Sequence, residues 1–377
     1  MARLTPAWAA LADALPIYPL YALLFADHGL ADGQISGLFA IWSATAVLAE
    51  VPTGALADRF SHRHALVASG VLQAMGYAVW VLLPGFAGFA AGFVMWGVGG
   101  ALASGALEAL LYDGLAAEGA EQAYARISGR VSAAGLVGQI PAAVGATLLF
   151  PLGRYALVGW VSVGLCLCAS AVALRLPEID RRQGAGQIEG EQDDPGYLAV
   201  LRAGLDEAVR SRVVRRAVIA AAAVEGIDAI EEYFPLLAHD WGVSTQLTPL
   251  AILAIPLTGA VGAILGGRAM HVGARSVASC LGIAGLLLAS AALAHRAAGI
   301  VLVALFYGVY HLVLVVVDAR LQERIEGSSR ATVVSVAALA TEVSVFGVYA
   351  AWTVGGPLIV ALTVCAFATC LTRLVPD

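Results

Sequence analysis

The segment VEGIDAIEEYFPLL, residues 224–237, sets four carboxylates, Glu225, Asp228, Glu231 and Glu232, in a stretch otherwise apolar enough to cross a bilayer. Carboxylates exchange protons and attract cations, and inside a membrane they are expensive. On insertion scales an acid at the helix centre costs roughly 2.5 to 3.5 kcal/mol, so three cost on the order of 8 to 10. A purely structural helix would not carry that. At about 100° per residue, an α-helix brings Glu225, Asp228 and Glu232 within an arc of about 60° and turns Glu231 well away. Counted from Arg216 at about 1.5 Å per residue, the acids lie roughly 14 to 24 Å deep, where no arginine of this chain is expected. They are therefore expected to face a water-filled cavity and to exchange protons there. The alternatives are an arginine partner or, for Glu231 and Glu232, a place in the outer headgroup zone.

Other polar residues fall at similar depth. Tyr307, His311 and Asp318 share one helical face, with Tyr310 adjacent; Ser335, Glu342, Phe346 and Tyr349 share another; Asp13 lies below Tyr18 and Tyr21. The tyrosines suit cation–π contacts or plain core packing, and His311 among several acids has the chemistry of a transition-metal ligand. Nearer the inner surface, Glu50 and Glu108 sit at the depth of Arg126 and Arg130. An ion-paired cluster is the expected arrangement there, because buried charges close together usually neutralise one another; a proton relay is the functional alternative.

These residues need helices to hold them. Of 377 residues, 60% are apolar and 13% charged, and the mean hydropathy is +0.84, far from the balance of a soluble domain. Twelve runs can each cross a core about 30 Å thick. They lie near 5–27, 33–57, 64–83, 86–112, 127–150, 154–176, 214–238, 246–268, 275–294, 297–319, 331–351 and 354–372. The expected fold is an all-α membrane protein of twelve transmembrane helices, since membrane strands would show short alternating segments. Pro16 and Pro19 interrupt the first run, which reads as a span and not as a cleaved leader.

All 21 basic residues are arginine, so a Walker A loop, which needs lysine, is absent. No exposed basic patch suits nucleic acid. The five cysteines all fall within spans, where they read as small buried hydrophobes, and no disulfide, cofactor or thiolate metal site is inferred. With both termini inside, all but two of the 21 arginines, Arg154 and Arg296, face the cytoplasm, which fixes the orientation. The expected location is a bacterial inner membrane, crossed many times by a monomer.

The chain divides at its longest loop into an amino-terminal six-helix bundle (1–176), a cytoplasmic linker (177–213) and a carboxy-terminal six-helix bundle (214–377). In the linker, Asp194 and Pro195 start a helix whose Leu198, Leu201, Leu205 and Val209 share one face, suited to lie on the membrane surface. The halves echo each other. LFADHGLADGQIS (24–36) parallels LAHDWGVSTQLT (237–248), and the Asp113, Glu118, Arg126 series parallels Asp318, Glu323, Arg330. A pattern of six plus six spans is the signature of secondary transporters.

Between the second and third spans, GALADRFSHRHAL (54–66) resembles the signature loop of the major facilitator superfamily, G-x-L-A-D-R-x-G-R-[KR]-x-x-L, matching at Gly54, Leu56, Ala57, Asp58, Arg59, Arg63 and Leu66. Ser61 stands where that family has its turn glycine, and His62 where it has a basic residue. The weaker copy GAILGGRAMHVGAR (262–275) keeps Arg268 and Arg275 but no acid. The resemblance implies two pseudo-symmetric bundles and a cytoplasmic latch. Asp58 would meet the helix start at Ser328 and Ser329, and Arg59, with Arg63 nearby, would reach Asp113.

On this reading the chain is a proton-coupled secondary transporter, an efflux antiporter for cationic or amphiphilic small molecules resembling the family's drug and proton antiporters. Protons and cargo would compete for Glu225, Asp228 and Glu342, with Glu232, Asp13, His311, Tyr307 and Tyr310 assisting. GLVGQIPAAVG (135–145) only loosely resembles the antiporters' Gly-Pro motif. The alternatives are a proton-coupled importer or divalent-metal carrier of the same fold, and a membrane sensor that transports nothing. No HExxH, GxSxG or nucleotide loop marks an enzyme.

Overall fold

The computed structural model describes residues 4–117, 119–177, 212–324 and 330–374. Every regular element among them is helical. The linker helix foreseen near 194–209, Glu118, and Ser328 and Ser329 lie outside the described residues.

The chain divides into two compact units, Met1–Glu189 with Ser244–Leu250, and Gly190–Val243 with Ala251–Asp377. In the first, α1 (Leu4–Asp13) and α2 (Tyr21–Asp27) are joined by a 3-10 turn, Tyr18–Leu20, where Pro16 and Pro19 withhold backbone donors. Then come α3 (Asp32–Phe60), α4 (His62–Leu82), α5 (Phe86–Ala117) and α6 (Tyr124–Ala173). In the second, α7 (Arg212–Glu225), a 3-10 segment (Gly226–Tyr233) and α8 (Phe234–Asp240) make one interrupted rod. It is followed by α9 (Thr248–Arg268), α10 (Ala274–Ala294), α11 (Gly299–Arg324) and α12 (Arg330–Leu374).

Eight of these stretches are long and apolar enough to cross a membrane by length and composition. Two of them contain a break and supply two spans each. α6 leaves helical geometry at Gly153 and Arg154, and α12 does so at Gly355 and Gly356. Gly356 has φ 59°, where a side chain is disfavoured. The α3 helix and the interrupted rod from α7 to α8, whose acids and arginines make it more polar than the rest, complete the twelve spans of the described residues.

Small residues set the closest helix contacts. In the first unit α1 lies on α6, where a Cβ at Gly138 would strike the carbonyl of Ala10. In the second, a Cβ at Gly262 of α9 would collide with the backbone of Gly308 on α11, and Thr258 donates to the Ala304 carbonyl at 2.7 Å. α7 packs on α11 and α12, and α10 packs on the same two helices. Tyr21 is 3% exposed within a cage of Phe25, Phe39, Trp80, Phe93 and Trp96, so it serves the core, whereas Tyr18 keeps 38% of its surface.

Candidate functional site

The acidic stretch of span 7 is wound differently from the helix on either side of it. Residues Gly226–Tyr233 form a 3-10 helix between α7 and α8. The local sequence accounts for this. Pro235 has no N–H for the Glu231 carbonyl four residues earlier, and its ring would crowd that oxygen in an α-helix. Instead the Phe234 N–H reaches back three residues to Glu231. At the other end Gly226 permits a close approach, since a Cβ there would meet Ser344 of α12.

Three residues per turn put every third side chain on one face. Glu225, Asp228 and Glu231 are consequently aligned, and Glu232 is turned aside. Sequence phasing on an α-helix had the opposite outcome for the last pair, with Glu232 on the shared face and Glu231 away from it; the tighter winding exchanges them. Glu232 is 5% exposed and lies within electrostatic reach of Tyr349, as Glu342 does. Glu225 and Glu231 are exposed although they sit mid-span, and the Asp228 side chain keeps 39% of its surface.

α11 supplies the opposing wall. Tyr307 and His311, one turn apart, share a face. The Tyr307 hydroxyl donates to Asp228 Oδ1 at 2.9 Å and lies 3.2 Å from Glu231 Oε2. His311 Nε2 is 3.5 Å from Asp228 Oδ1, and its ring packs 4.4 Å from that of Tyr307. Tyr310, fully buried, donates to the Glu225 main-chain carbonyl at 3.3 Å. From α12, Thr341 donates to Glu225 Oε2 at 3.0 Å. Gly259 of α9 makes room behind the two rings, because a Cβ there would meet both Tyr307 and His311.

Span 7, Tyr307, Tyr310 and His311 thus converge as the sequence suggested. Thr341, Gly259 and the orientation of Glu231 were missed; only Pro235, four residues beyond Glu231, could have signalled the last. Asp318 is exposed and apart from the cluster, and the Ser335 side chain lies outside the described residues. Asp13 belongs to the first unit, where its carboxylate packs against Gly135 and a Cβ there would push it aside. Among the described residues no arginine forms an ion pair with Glu225, Asp228, Glu231 or Glu232.

At the inner end of the first unit, α3 stops at Phe60 and Ser61 adopts extended backbone, φ 176°, which needs no glycine. The Ser61 hydroxyl then accepts the His64 N–H and caps α4, a role the family's glycine could not fill. His62 Nε2 approaches Asp113 Oδ2 at 3.8 Å. The side chains of Asp58 and Arg59 lie outside the described residues, and Arg63 lies on the first turn of α4. Glu50, Glu108, Arg126 and Arg130 are all exposed, and the described residues contain no ion pair among the four. In the second unit Arg320 of α11 donates to the Val272 carbonyl, tying down the loop between α9 and α10.

The sequence profile of the Major Facilitator Superfamily matches residues 7–360. The chain belongs to that superfamily. As a member of the superfamily, with several helices long and apolar enough to span a bilayer, it is an integral, multi-pass membrane protein. It is 31% identical over 191 residues to an uncharacterized MFS-type transporter of Mycobacterium tuberculosis, a match covering 49% of this chain and 44% of the relative. The chain thus spans about half the length of the curated relatives it matches. Its fold is similar to those of a mutant of nucleoside transporter NupG (TM-score 0.78, 12% identity, 99% of this chain and 98% of that one) and a D-xylose-proton symporter (0.70, 16%, 100% and 97%). A bacterial homolog of the human lysosomal transporter Spinster is similar too (0.72, 15%, 99% and 92%). At these identities the likeness concerns the superfamily fold alone.

Proposed function

We propose that this superfamily member is a proton-coupled antiporter that exports cationic or amphiphilic small molecules by alternating access. The observation that carries this reading is the alignment of Glu225, Asp228 and Glu231 on one face, with a single tyrosine hydroxyl between two of them and no arginine ion pair in the described residues. One hydroxyl has one proton to donate, so the two carboxylates compete for it. The remaining negative charge is met either by protons or by a cation, and these exclude each other. Proton arrival therefore releases cargo, and cargo arrival releases protons, which is the differential binding an exchanger requires.

Tyr307, Tyr310 and the His311 ring give an organic cation an aromatic wall as well as charge. Among the described residues no three His, Cys, Asp or Glu side chains converge to hold a metal ion, so the donor arrangement suits an organic cation better than a divalent metal. Asp13, Glu232 and Glu342 complete the proposed set of acids, and Asp58, Arg59, Arg63 and Asp113 the proposed inner latch. The setting proposed is a bacterial inner membrane, with a monomer of cytoplasmic termini that meets lipid, protons and a small cargo.

Purified protein in proteoliposomes, offered a panel of organic cations and neutral drugs under an imposed pH gradient, tests the reading. Concentrative, gradient-dependent movement of cations supports it. Transport indifferent to the gradient removes it.

A further inference from the structure

The 3-10 segment of span 7 runs for eight residues, Gly226–Tyr233. Such runs rarely exceed three or four residues, because their hydrogen bonds are poorer and their side chains eclipse; in mid-helix they mark hinges or strained sequence. Both junctions carry unusual contacts. Tyr310 gives the Glu225 carbonyl a side-chain donor, and the Phe234 N–H reaches the Glu231 carbonyl just before Pro235. Gly226 is pressed against Ser344, so the lower end is pinned to α12.

We propose that residues 226–233 are a two-register element, winding alternately as a 3-10 helix and as an α-helix, and thereby exchanging Glu231 for Glu232 on the face that carries Glu225 and Asp228. The angles require this pairing. At about 120° per residue, positions 225, 228 and 231 coincide and 232 stands a third of a turn away. At about 100° per residue, 225, 228 and 232 fall within about 60°, and 231 leaves the face.

The exchange takes Glu231 from the Tyr307 hydroxyl and brings out Glu232, now 5% exposed. The groups facing the two acids are Asp228 and Tyr233 of the segment itself, Tyr307, Tyr310 and His311 of α11, and Glu342 and Tyr349 of α12. Rewinding also shortens the rod. The rise falls from about 2.0 to about 1.5 Å per residue, so eight residues contract by about 4 Å and draw α8 inward. An acid exchange is thus coupled mechanically to the outer end of the span. Because this concerns one helix, it does not rest on the cargo or direction proposed above.

Spin labels at Val213→Cys and His239→Cys, both exposed and both on this span, in a variant without the five native cysteines, report its length by pulsed dipolar spectroscopy in nanodiscs. Rocking of the two halves does not change this distance. The expected result is two distances about 4 Å apart, their ratio shifting between acidic and alkaline pH, with the shorter enriched by Pro235→Ala, which restores the missing donor. A single distance, unchanged across pH, overturns the proposal even if Pro235→Ala does not fold. A variant that folds without enriching the shorter distance overturns it too.

Discussion

The Tyr307 hydroxyl and the Asp228 carboxylate, 2.9 Å apart, join span 10 to the acidic face of span 7. A hydrogen bond to a charged group contributes about 1.5 to 3 kcal/mol, which corresponds to about ten- to a hundredfold in an equilibrium constant. Tyr307→Phe keeps the ring against His311 and removes only the hydroxyl. Its expected effect is a ten- to hundredfold rise in KM for a transported cation with little change in protein yield. An unaltered KM would separate Tyr307 from the cargo site.

Neutralising the acids should uncouple transport from the proton gradient. Asp228→Asn and Glu231→Gln are each expected to reduce gradient-driven accumulation in proteoliposomes to background. If accumulation persists in both variants, the carboxylate face does not carry the coupling.

Gly262 and Gly267 lie on one helix and make a paired test of packing. A Cβ at Gly262 meets the backbone of Gly308, which cannot yield, whereas at Gly267 nothing lies within 4 Å. Gly262→Ala is expected to destabilise the protein by about 1 to 3 kcal/mol. Gly267→Ala should leave it unchanged or slightly stabilised, as alanine favours a helix. Thermal unfolding of the two detergent-solubilised variants compares them directly; equal midpoints would refute the close approach of α9 and α11.

At the outer end of the first unit the Tyr155 hydroxyl donates to Asp27 at 2.7 Å and ties α2 to the second half of α6. Asp27 is exposed, so solvent weakens the bond and about 1 kcal/mol is expected. Tyr155→Phe should lower the unfolding midpoint modestly while transport persists. Loss of transport without loss of stability would instead give this pair a part in the cycle.

Fold and site were legible to different depths. Membrane length and composition disclosed the spans, and the breaks at Gly153–Arg154 and Gly355–Gly356 fall where short outer turns were expected, because a chain must reverse between apolar runs. The pairing of Tyr307 with His311 followed from helical spacing alone. The order of Glu231 and Glu232 did not, since periodicity assumes a winding and cannot detect its change; the proline that favours the tighter winding acts through a missing donor, not through its own polarity. Thr341 looked like any small polar residue in an apolar helix, and only the tertiary contact with Glu225 distinguishes it. Ser61 departs from the family's turn glycine, and the chain there is extended and uses the hydroxyl as a helix cap, which the motif comparison alone did not reveal.

Gly259 has one more implication. The two rings resting over it have no slack behind them, so the floor beneath the acids behaves as a rigid template whose contour is set by α9 and α11 together. Efforts to broaden or narrow the range of molecules handled would therefore gain little from enlarging that floor. The adjustable positions are those that meet the acids without carrying a ring, Thr341 of α12 among them, whose hydroxyl donates to Glu225.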